Sequence, residues 1–210
     1  MKRAPFITIE GIEGAGKSTC LARVVAVVRS AGLEPLVTRE PGGTELGERL
    51  RELLLDHRQA GMADDTELLL MFAARAQHLA ERIRPALAAG TPVVCDRFTD
   101  ATYAYQGGGR GLPAGRIRVL EDWVQQGLRP DLTLLLDLPP EVGLARARRR
   151  SQPDRFESEK LEFHRRVRQA YLTLARAEPQ RIQVVDAARP LEEAEARVTA
   201  IVESFLEEWR

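Results

Sequence analysis

Residues 5–18 of this chain, PFITIEGIEGAGKS, decide its fold. Residues 5–10 alternate in hydrophobicity and are rich in β-branched side chains, which predicts a strand. A glycine-rich run follows, and residues 18–30 then show the apolar periodicity of a helix. Between the two, residues 11–18 match the pattern G-x-x-x-x-G-K-[ST] at every position. The sequence therefore predicts a P-loop, because this motif requires a preceding strand and a following helix.

The residue types of this loop suit a polyphosphate ligand. Glycines let backbone N–H groups curl around phosphate oxygens, and the N-terminus of the following helix adds positive potential. We expect Lys17 to reach the β- and γ-phosphates of a nucleoside triphosphate and the Ser18 hydroxyl to bind Mg²⁺. The predicted ATP-binding residues are Gly11, Ile12, Glu13, Gly14, Ala15, Gly16, Lys17, Ser18 and Thr19.

Strand-like and helix-like segments alternate along the rest of the chain. Further strands are predicted at 34–38, 91–96, 131–138 and 181–186. Helices are predicted at 44–57, 64–89, 114–126, 140–149 and 157–177 and at the C-terminus, with a helical segment rich in Gly and Tyr at 99–112. This alternation predicts an α/β fold with a parallel sheet and right-handed crossovers. The chain has no internal repeat or linker, so we expect a single domain over residues 1–210 with inserts at 39–75 and 148–157.

Composition limits the classes of partner. Lys+Arg and Asp+Glu balance at 31 each in 210 residues, so net charge gives no reason to expect a nucleic-acid or membrane partner. No stretch approaches the ~20 apolar residues of a membrane span, and the N-terminus lacks the apolar core of a signal peptide. We therefore expect a cytoplasmic protein. Cys20 and Cys95 show neither metal-ligand spacing nor a disulfide framework, and we interpret both as buried thiols.

A P-loop alone does not separate kinases from GTPases or motor ATPases. A GTPase needs a base-reading motif of the N-K-x-D kind, and the sequence has none. Motor ATPases carry an acidic pair at the end of a hydrophobic strand, whereas the strand at 131–138 carries Asp137 alone. The strand at 91–96 ends instead in Asp96, followed by Arg97. The pattern favours a kinase that transfers the γ-phosphate to a small phosphorylated acceptor.

Arginines from separate segments predict the acceptor site. The carboxyl ends of strands line the ligand crevice of an open α/β sheet. Asp96 is placed there to hold Mg²⁺ through water, and Arg97 is placed to form a bidentate contact with a phosphate. The alternative is that the two residues form an ordinary ion pair at the end of the strand. Arg39 follows the second strand, and Arg51 and Arg75 lie on the inserted helices. One phosphate needs fewer arginines than this, so some of them are expected to be structural.

A basic segment, with arginines at 146, 148, 149 and 150, precedes residues 151–157. Positive charge is favourable near any helix C-terminus, so a solvated helix end is one interpretation. We prefer a lid over residues 148–157, with an arginine that covers the transferring phosphoryl group. Arg150 and Arg155 flank its loop.

Four segments resemble those of the bacterial thymidylate kinases. They are FITIEGIEGAGKST at 6–19, TREPGGT at 38–44, CDRFTDATYAYQGGGRG at 95–111 and RPDLTLLLDLPPEVGLARA at 129–147. The resemblance runs from about residue 5 to about residue 190 with the motifs in the same order. It implies a P-loop NTPase fold with a five-stranded parallel sheet, a homodimer, Mg²⁺ with ATP as phosphoryl donor, and the reaction ATP + dTMP → ADP + dTDP.

The resemblance also implies roles for single residues. Glu13 corresponds to a carboxylate beside the deoxyribose 3′-hydroxyl, Tyr105 to an aromatic residue beneath the sugar, and Arg97 to an arginine on the acceptor phosphate. Some thymidylate kinases carry a basic residue inside the P-loop, whereas this chain has Gly14-Ala15 there and its arginines in the lid segment. The resemblance to that second form implies that the catalytic cation is Arg150, with Arg148 and Arg155 as alternatives. The predicted catalytic residues are Lys17, Arg97 and Arg150, and the predicted metal-binding residues are Ser18 and Asp96. The predicted dTMP-binding residues are Glu13, Arg39, Arg51, Met71, Phe72, Arg75, Arg97, Thr102, Tyr105 and Gln106.

One position departs from the family pattern at the base-binding end. Thr102 and Gln106 resemble a polar pair near the thymine, and their spacing puts them on one helix face. Arg75 matches an arginine that hydrogen-bonds the base, and many relatives place a Phe one helical turn before it. Here Met71 holds that position and Phe72 follows. Either Met71 packs its sulfur on the ring, or the helix is rotated so that Phe72 stacks.

Three other functions are alternatives. The nearest is a kinase of the same fold that acts on a deoxynucleoside or another monophosphate. A P-loop regulatory ATPase would hydrolyse ATP slowly without phosphorylating an acceptor, and the balanced net charge argues against a DNA-binding role for it. A non-catalytic nucleotide-binding scaffold would not need Lys17, Ser18, Asp96 and the arginines together.

Overall fold

The computed structural model describes residues 3–149 and 154–209. In this part of the chain the predicted strands form one parallel sheet in the order β2-β3-β1-β4-β5. The strands are β1 (Phe6–Glu10), β2 (Leu36–Arg39), β3 (Val93–Asp96), β4 (Leu132–Asp137) and β5 (Ile182–Asp186). The predicted α/β fold with a five-stranded parallel sheet is confirmed.

Helices connect the strands. Those of the described residues are α1 (Lys17–Ser30), α2 (Glu45–Leu55), α3 (Asp64–His78), α4 (Arg84–Ala88), α5 (Thr99–Thr102), α6 (Ala114–Gln125), α7 (Pro140–Arg148), α8 (Leu161–Ala177) and α9 (Leu191–Trp209). A π-helical segment, Leu79–Ile83, joins α3 to α4, so the helix predicted at 64–89 is continuous. A second π-helical segment, Tyr103–Gly109, extends α5. None of the described helices has the length and apolarity needed to cross a membrane.

Local hydrogen bonds explain where two predicted helix boundaries differ. The helix predicted at 44–57 ends at Leu55, and the side chain of Asp56 then accepts the backbone N–H of Arg58 at 2.9 Å to start a 3₁₀ turn. The helix predicted at 157–177 begins only at Leu161. Before it, Asp154 Oδ1 accepts the backbone N–H groups of the second and third residues after it, at 2.8 and 2.9 Å, which folds residues 154–158 into turns.

The central strand is buried on both faces. Ile7 and Ile9 of β1 are fully buried in the core that α1 and α9 cover, as expected for a parallel sheet between helical layers. The polar side chain of Thr8 is satisfied across the sheet, where its hydroxyl lies 2.8 Å from that of Thr133 on β4. Cys20 and Cys95 are both free and buried, as the sequence predicted.

The strand register brings the predicted site residues to one edge of the sheet. Ile9 of β1 lies opposite Asp96 of β3, and Arg39 of β2 lies opposite Asp96 on its other side. The P-loop follows β1 directly, so the loop and the polar ends of β2 and β3 meet outside the carboxyl edge. Thr44 accepts the backbone N–H of Gly47 at 3.0 Å and so caps α2, the helix that leads away from this edge.

Candidate active site

A cavity of about 210 Å³ opens at the carboxyl edge of the sheet. Its walls come from the P-loop, the ends of β2 and β3, helices α2, α3 and α5, and the turn at 154–157. The sequence-predicted residues that line it are Glu13, Gly14, Gly16, Lys17, Ser18, Arg39, Arg51, Met71, Arg75, Asp96, Arg97, Thr102, Tyr105 and Gln106. One cavity therefore brings together the predicted nucleotide loop and most of the predicted acceptor residues.

Some predicted residues lie elsewhere. Gly11, Ile12 and Ala15 are buried in the base of the loop, and Thr19 is exposed on its far side. Arg150 lies outside the described residues.

Phe72 needs a correction among the predicted acceptor residues. It is 2% exposed, packs with Leu68 and Ile117, and does not line the cavity. Its neighbour Met71 lines the cavity instead, because one residue along a helix turns the side chain to another face. Phe72 supports the site from behind, with its ring centroid 4.7 Å from the guanidinium carbon of Arg75.

Lys17 is held by its own loop. Its Nζ donates to the carbonyl oxygens of Gly11 at 3.2 Å and Ile12 at 3.0 Å. Burial, and then the positive charge of Arg97, lower the pKa of Lys17 to about 8. An anion that enters the loop would therefore favour the charged form of Lys17.

The P-loop packs too closely on α7 to carry a side chain at position 14. Gly14 has a φ of +73°, and a Cβ on it would collide with the carbonyl oxygen of Gly143. Conversely, a Cβ on Gly143 would collide with the carbonyl oxygen of Glu13. Both glycines are needed for this approach, so the loop cannot hold a basic residue at position 14 in this geometry.

Three arginines converge beside the loop. Arg97, with a φ of +70°, donates to Glu13 Oε1 at 3.0 Å, and Arg51 donates to a loop carbonyl at 3.0 Å. Arg39 pairs with Glu48 at 2.7 Å. Burial, and then the charges of Arg39 and Arg97, lower the pKa of Arg51. Like charges placed this closely are repelled unless an anion lies between them, so this end of the cavity suits a phosphate.

Glu13 lines the same cavity and is in direct contact with Arg97. Burial by itself would raise the pKa of Glu13, but the neighbouring His164, Arg97 and Lys17 outweigh it and hold the pKa well below its usual range. Tyr105 donates its hydroxyl to Glu13 Oε1, and His164 Nδ1 lies 3.4 Å from Oε2. The carboxylate is therefore a fixed, ionised hydrogen-bond acceptor at the cavity wall.

The far end of the cavity is polar but charge-balanced. Arg75 donates through Nε to Glu40 at 2.7 Å and through Nη2 to Thr102 at 3.0 Å. His78 lies 3.0 Å from the second oxygen of Glu40. The remaining nitrogen of Arg75, Nη1, is buried without a hydrogen-bond partner in the described part of the chain. An unsatisfied buried donor in a cavity wall indicates a ligand acceptor at that point.

Arg155 does not behave as a free cation of the lid. It is 6% exposed, donates through Nε to the carbonyl oxygen of Leu54 at 2.7 Å, and pairs with Glu67 at 2.6 Å. These contacts tie it to the end of α2 and to α3. Arg148 is exposed at the end of α7. Nε and Nη1 of Arg155 are used in these contacts, while its Nη2 is buried without a hydrogen-bond partner among the described residues, so the choice among Arg148, Arg150 and Arg155 stays a prediction.

The residues predicted to hold Mg²⁺ fit that ion. Asp96 Oδ1 is buried and has no hydrogen-bond partner within residues 3–149 and 154–209. Ser18 lines the same cavity at the start of α1. A bare carboxylate oxygen and a hydroxyl are hard oxygen ligands of the type that Mg²⁺ prefers.

A second cavity, of about 180 Å³, adjoins the far side of the P-loop. Thr19 lines it together with Arg146, Ala187, Arg189 and Leu191. It offers apolar and cationic surface next to the phosphate loop, on the side away from the three arginines.

Several residues of the site are not predicted from the sequence. Glu40 lies inside the segment TREPGGT, which is the signal that points to it. Glu67, His164 and Tyr171 come from α3 and α8, and only the tertiary structure brings them to the site.

Comparison with known proteins agrees with this geometry. The model of the family described as thymidylate kinase matches residues 9–198. The thymidylate kinase of Pseudomonas putida (strain W619) is 61% identical over 205 residues, which cover 98% of this chain and 99% of that protein. The thymidylate kinase of Pseudomonas entomophila (strain L48) is 60% identical over 205 residues, with 98% of each chain covered. The crystal structure of thymidylate kinase from Ehrlichia chaffeensis superposes with a TM-score of 0.77 at 32% identity, covering 95% of this chain and 98% of that one. This chain belongs to the thymidylate kinase family.

Proposed function

We propose that this chain transfers the γ-phosphoryl group of ATP to dTMP and produces ADP and dTDP. The observation that carries the proposal is the single cavity in which Lys17 of the P-loop faces the three converging arginines. Two phosphate-binding elements in one cavity suit a reaction between two phosphorylated substrates. The family membership supplies the identity of donor and acceptor.

Binding comes first in the proposed mechanism. The P-loop, from Gly11 to Thr19, holds the donor phosphates, and the second cavity beyond it offers room for the rest of the donor nucleotide. Arg97, assisted by Arg39 and Arg51, holds the acceptor phosphate. This arrangement fixes the attacking oxygen near the γ-phosphorus, and such positioning supplies much of the catalysis of phosphoryl transfer.

Charge stabilisation acts during transfer. Lys17 neutralises charge on the β- and γ-oxygens of the donor, and Arg97 does so on the acceptor. Ser18 and Asp96 would hold Mg²⁺, the latter through water, and the ion would neutralise the donor phosphates when bound. We assign Arg150 to the transferring phosphoryl group in preference to Arg155, whose Nε and Nη1 are bound to Leu54 and Glu67, and Arg148 is the other alternative.

The middle and far end of the cavity account for the nucleoside. Glu13 offers a hydrogen-bond acceptor for the sugar 3′-hydroxyl, and the buried Tyr105 forms a wall at the 2′ position. Arg75, Thr102 and Gln106 offer polar contacts to the base, with Met71 packing against the ring. We further propose that residues 39–75 form the acceptor-binding insert and 148–157 the lid of a single domain over residues 1–210.

A homodimer is part of the proposal. Leu69 of α3 and Val119 and Trp123 of α6 are 56%, 67% and 74% exposed. An ion pair of 2.7 Å between Asp65 and Arg116 joins the two helices within two turns of these side chains, so they form one apolar patch. Two copies of this patch, paired about a twofold axis, would bury it. Because its donor is ATP, we place the reaction in the cytoplasm.

A panel of acceptors tests the proposed function. With ATP and Mg²⁺ we expect dTMP to be phosphorylated best, and dUMP to be weaker by roughly 10- to 200-fold because one methyl group is worth only about 1–3 kcal/mol. We expect dCMP, dGMP and ribonucleotides to be far poorer. Lys17→Ala should lower kcat by roughly 10²-fold or more with dTMP. Efficient phosphorylation of AMP, GMP or CMP would overturn the thymidylate assignment, and slow ATP hydrolysis without any phosphorylated acceptor would favour a regulatory ATPase.

A further inference from the structure

The orientation of one amide at the base end of the cavity is set from outside the cavity. Gln106 lines the cavity and is almost fully buried. Its Nε2 donates to Glu67 Oε1 at 2.9 Å. Glu67 lies on α3, is fully buried, and is not among the residues that line the cavity. Glu67 therefore does not face a ligand in the cavity directly, and its hydrogen bond to Gln106 connects it to the lining of the cavity.

Glu67 is held as an acceptor by two guanidinium groups. Arg110 donates to Oε2 at 3.1 Å, and Arg155 lies 2.6 Å from the same oxygen. Burial alone would raise the pKa of Glu67, but hydrogen bonds from Arg110 and Gln106 outweigh it and lower the pKa. An ionised carboxylate can only accept hydrogen bonds. The nitrogen of the Gln106 amide must therefore face Glu67, which leaves its carbonyl oxygen for a ligand.

A hydrogen-bond donor accompanies this carbonyl at the base end of the cavity. Arg75 uses Nε on Glu40 and Nη2 on Thr102, while its buried Nη1 has no partner in the described residues. Thr102 lies about one helical turn before Gln106, so both side chains lie on the same face of this helix. The wall thus presents an acceptor beside a donor.

We propose that Glu67 is a positioning residue that sets the choice of acceptor base, by turning the Gln106 amide so that its carbonyl stands beside the free donor of Arg75. This inference rests on the proposed function. The acceptor-donor pair complements a base edge with a ring N–H next to an exocyclic carbonyl, which is the imide edge of thymine and uracil. A cytosine edge has a ring acceptor next to an amino donor, so it opposes both groups of the wall. Buried polar groups left unpaired in this way discriminate by about 10⁴- to 10⁵-fold.

The test compares dTMP with the monophosphate of 5-methyl-deoxycytidine, two acceptors that differ only at this edge. In Glu67→Gln the new side chain can donate as well as accept, which frees the Gln106 amide to turn. We expect the ratio of kcat/KM for the two acceptors to fall by about tenfold or more from its wild-type value. An equal loss for both acceptors would mean that Glu67 only stabilises the fold, and would overturn the inference.

The matched control is Asp64→Asn. Asp64 is 48% exposed and lies 3.8 Å from Arg110, so the change removes a carboxylate from the same cluster of charges without altering the contact between Glu67 and Gln106. We expect the ratio of the two acceptors to stay at its wild-type value. A shift as large as that of Glu67→Gln would show that the ratio follows local charge, and would contradict the proposed role of the amide.

A second measurement uses the wild-type protein and covers the case in which Glu67→Gln does not fold. Acid protonates the ring nitrogen of the methylcytosine acceptor and turns it into a donor. The dissociation constant of the methylcytosine acceptor, divided by that of dTMP at the same pH, should therefore fall. We expect it to fall by about tenfold for each unit that the pH drops toward the pKa of that nitrogen. A constant ratio would overturn the inference. Failure to phosphorylate dTMP at all would instead count against the proposed function.

Discussion

Lys17 should gain a proton when a nucleoside triphosphate binds. In the free protein, burial and then the charge of Arg97 lower its pKa to about 8, and its Nζ donates to the carbonyl oxygens of Gly11 and Ile12. A triphosphate in the P-loop favours the charged ammonium, so the pKa should return to at least the ordinary value of 10.5. Binding and proton uptake are then linked.

The size of the effect follows from the two pKa values. With a free-state pKa of about 8, Lys17 is half charged at about pH 8, so binding should take up about 0.5 proton there. The same pKa gives uptake of about 0.1 proton at about pH 7 and about 0.9 at about pH 9. Because the complex holds more protons than the free protein, the affinity for the triphosphate should depend on pH. It should be nearly independent of pH below about pH 7 and fall by nearly tenfold per unit of pH above about pH 8.

Isothermal titration calorimetry measures this uptake directly. A non-hydrolysable ATP analogue with Mg²⁺ is titrated into the protein in buffers that differ in ionisation enthalpy, and the difference in heat gives the number of protons. Lys17→Arg is the control, because a guanidinium stays charged throughout this range and should take up none. Heats that are independent of the buffer across this pH range would refute the reasoning, as would equal uptake by the control.

Three further results are expected. Gly14→Ala should destabilise the protein by about 2 kcal/mol or more in denaturant unfolding, because the left-handed φ and the close carbonyl of α7 leave no room for a Cβ, whereas Gly115→Ala, in open space on α6, should not. Arg150→Ala should depress kcat much more than it raises the KM for dTMP and leave stability unchanged, while Arg155→Ala should lower stability by about 1.5–3 kcal/mol by removing one charged hydrogen-bond partner from the buried Glu67; a pure KM effect would make Arg150 a binding residue. Light scattering should give about twice the 23.4 kDa chain mass for the wild type and the single chain mass for Trp123→Glu, and a wild-type monomer at micromolar concentration would contradict the dimer.

The parts of the fold that the sequence predicts well are those that local patterns determine. The P-loop motif has fixed spacing between a strand and a helix, so β1 and α1 appear within one residue of their predicted bounds. Apolar runs predict the buried strands β3 and β4 to within two residues of their bounds. The start of α8 is less predictable, because the side chain of Asp154 accepts a backbone N–H and turns the chain where periodicity alone continues a helix.

The residues of the candidate site also differ in how well local sequence patterns predict them. Residues that belong to motifs, such as Lys17 and Arg97, line the cavity as predicted. The choice between Met71 and Phe72 depends on the rotation of α3 about its axis, which packing of Phe72 on Leu68 decides. Arg155 looks like a solvated lid cation in sequence, and only the structure shows that it is buried and paired with the distant Glu67. Contacts between residues this far apart in the chain leave no local pattern.

The fate of the γ-phosphoryl group tests the central claim most directly. ATP labelled with radioactive phosphorus in the γ-position is mixed with the protein, Mg²⁺ and dTMP, and the products are separated over time. Direct transfer predicts that the label passes into dTDP in equal amount to the ADP formed, with little inorganic phosphate and little turnover when dTMP is omitted. Label that accumulates as inorganic phosphate at the same rate with or without dTMP would contradict the account, because it would make the cavity that joins Lys17 to the three arginines a site of hydrolysis.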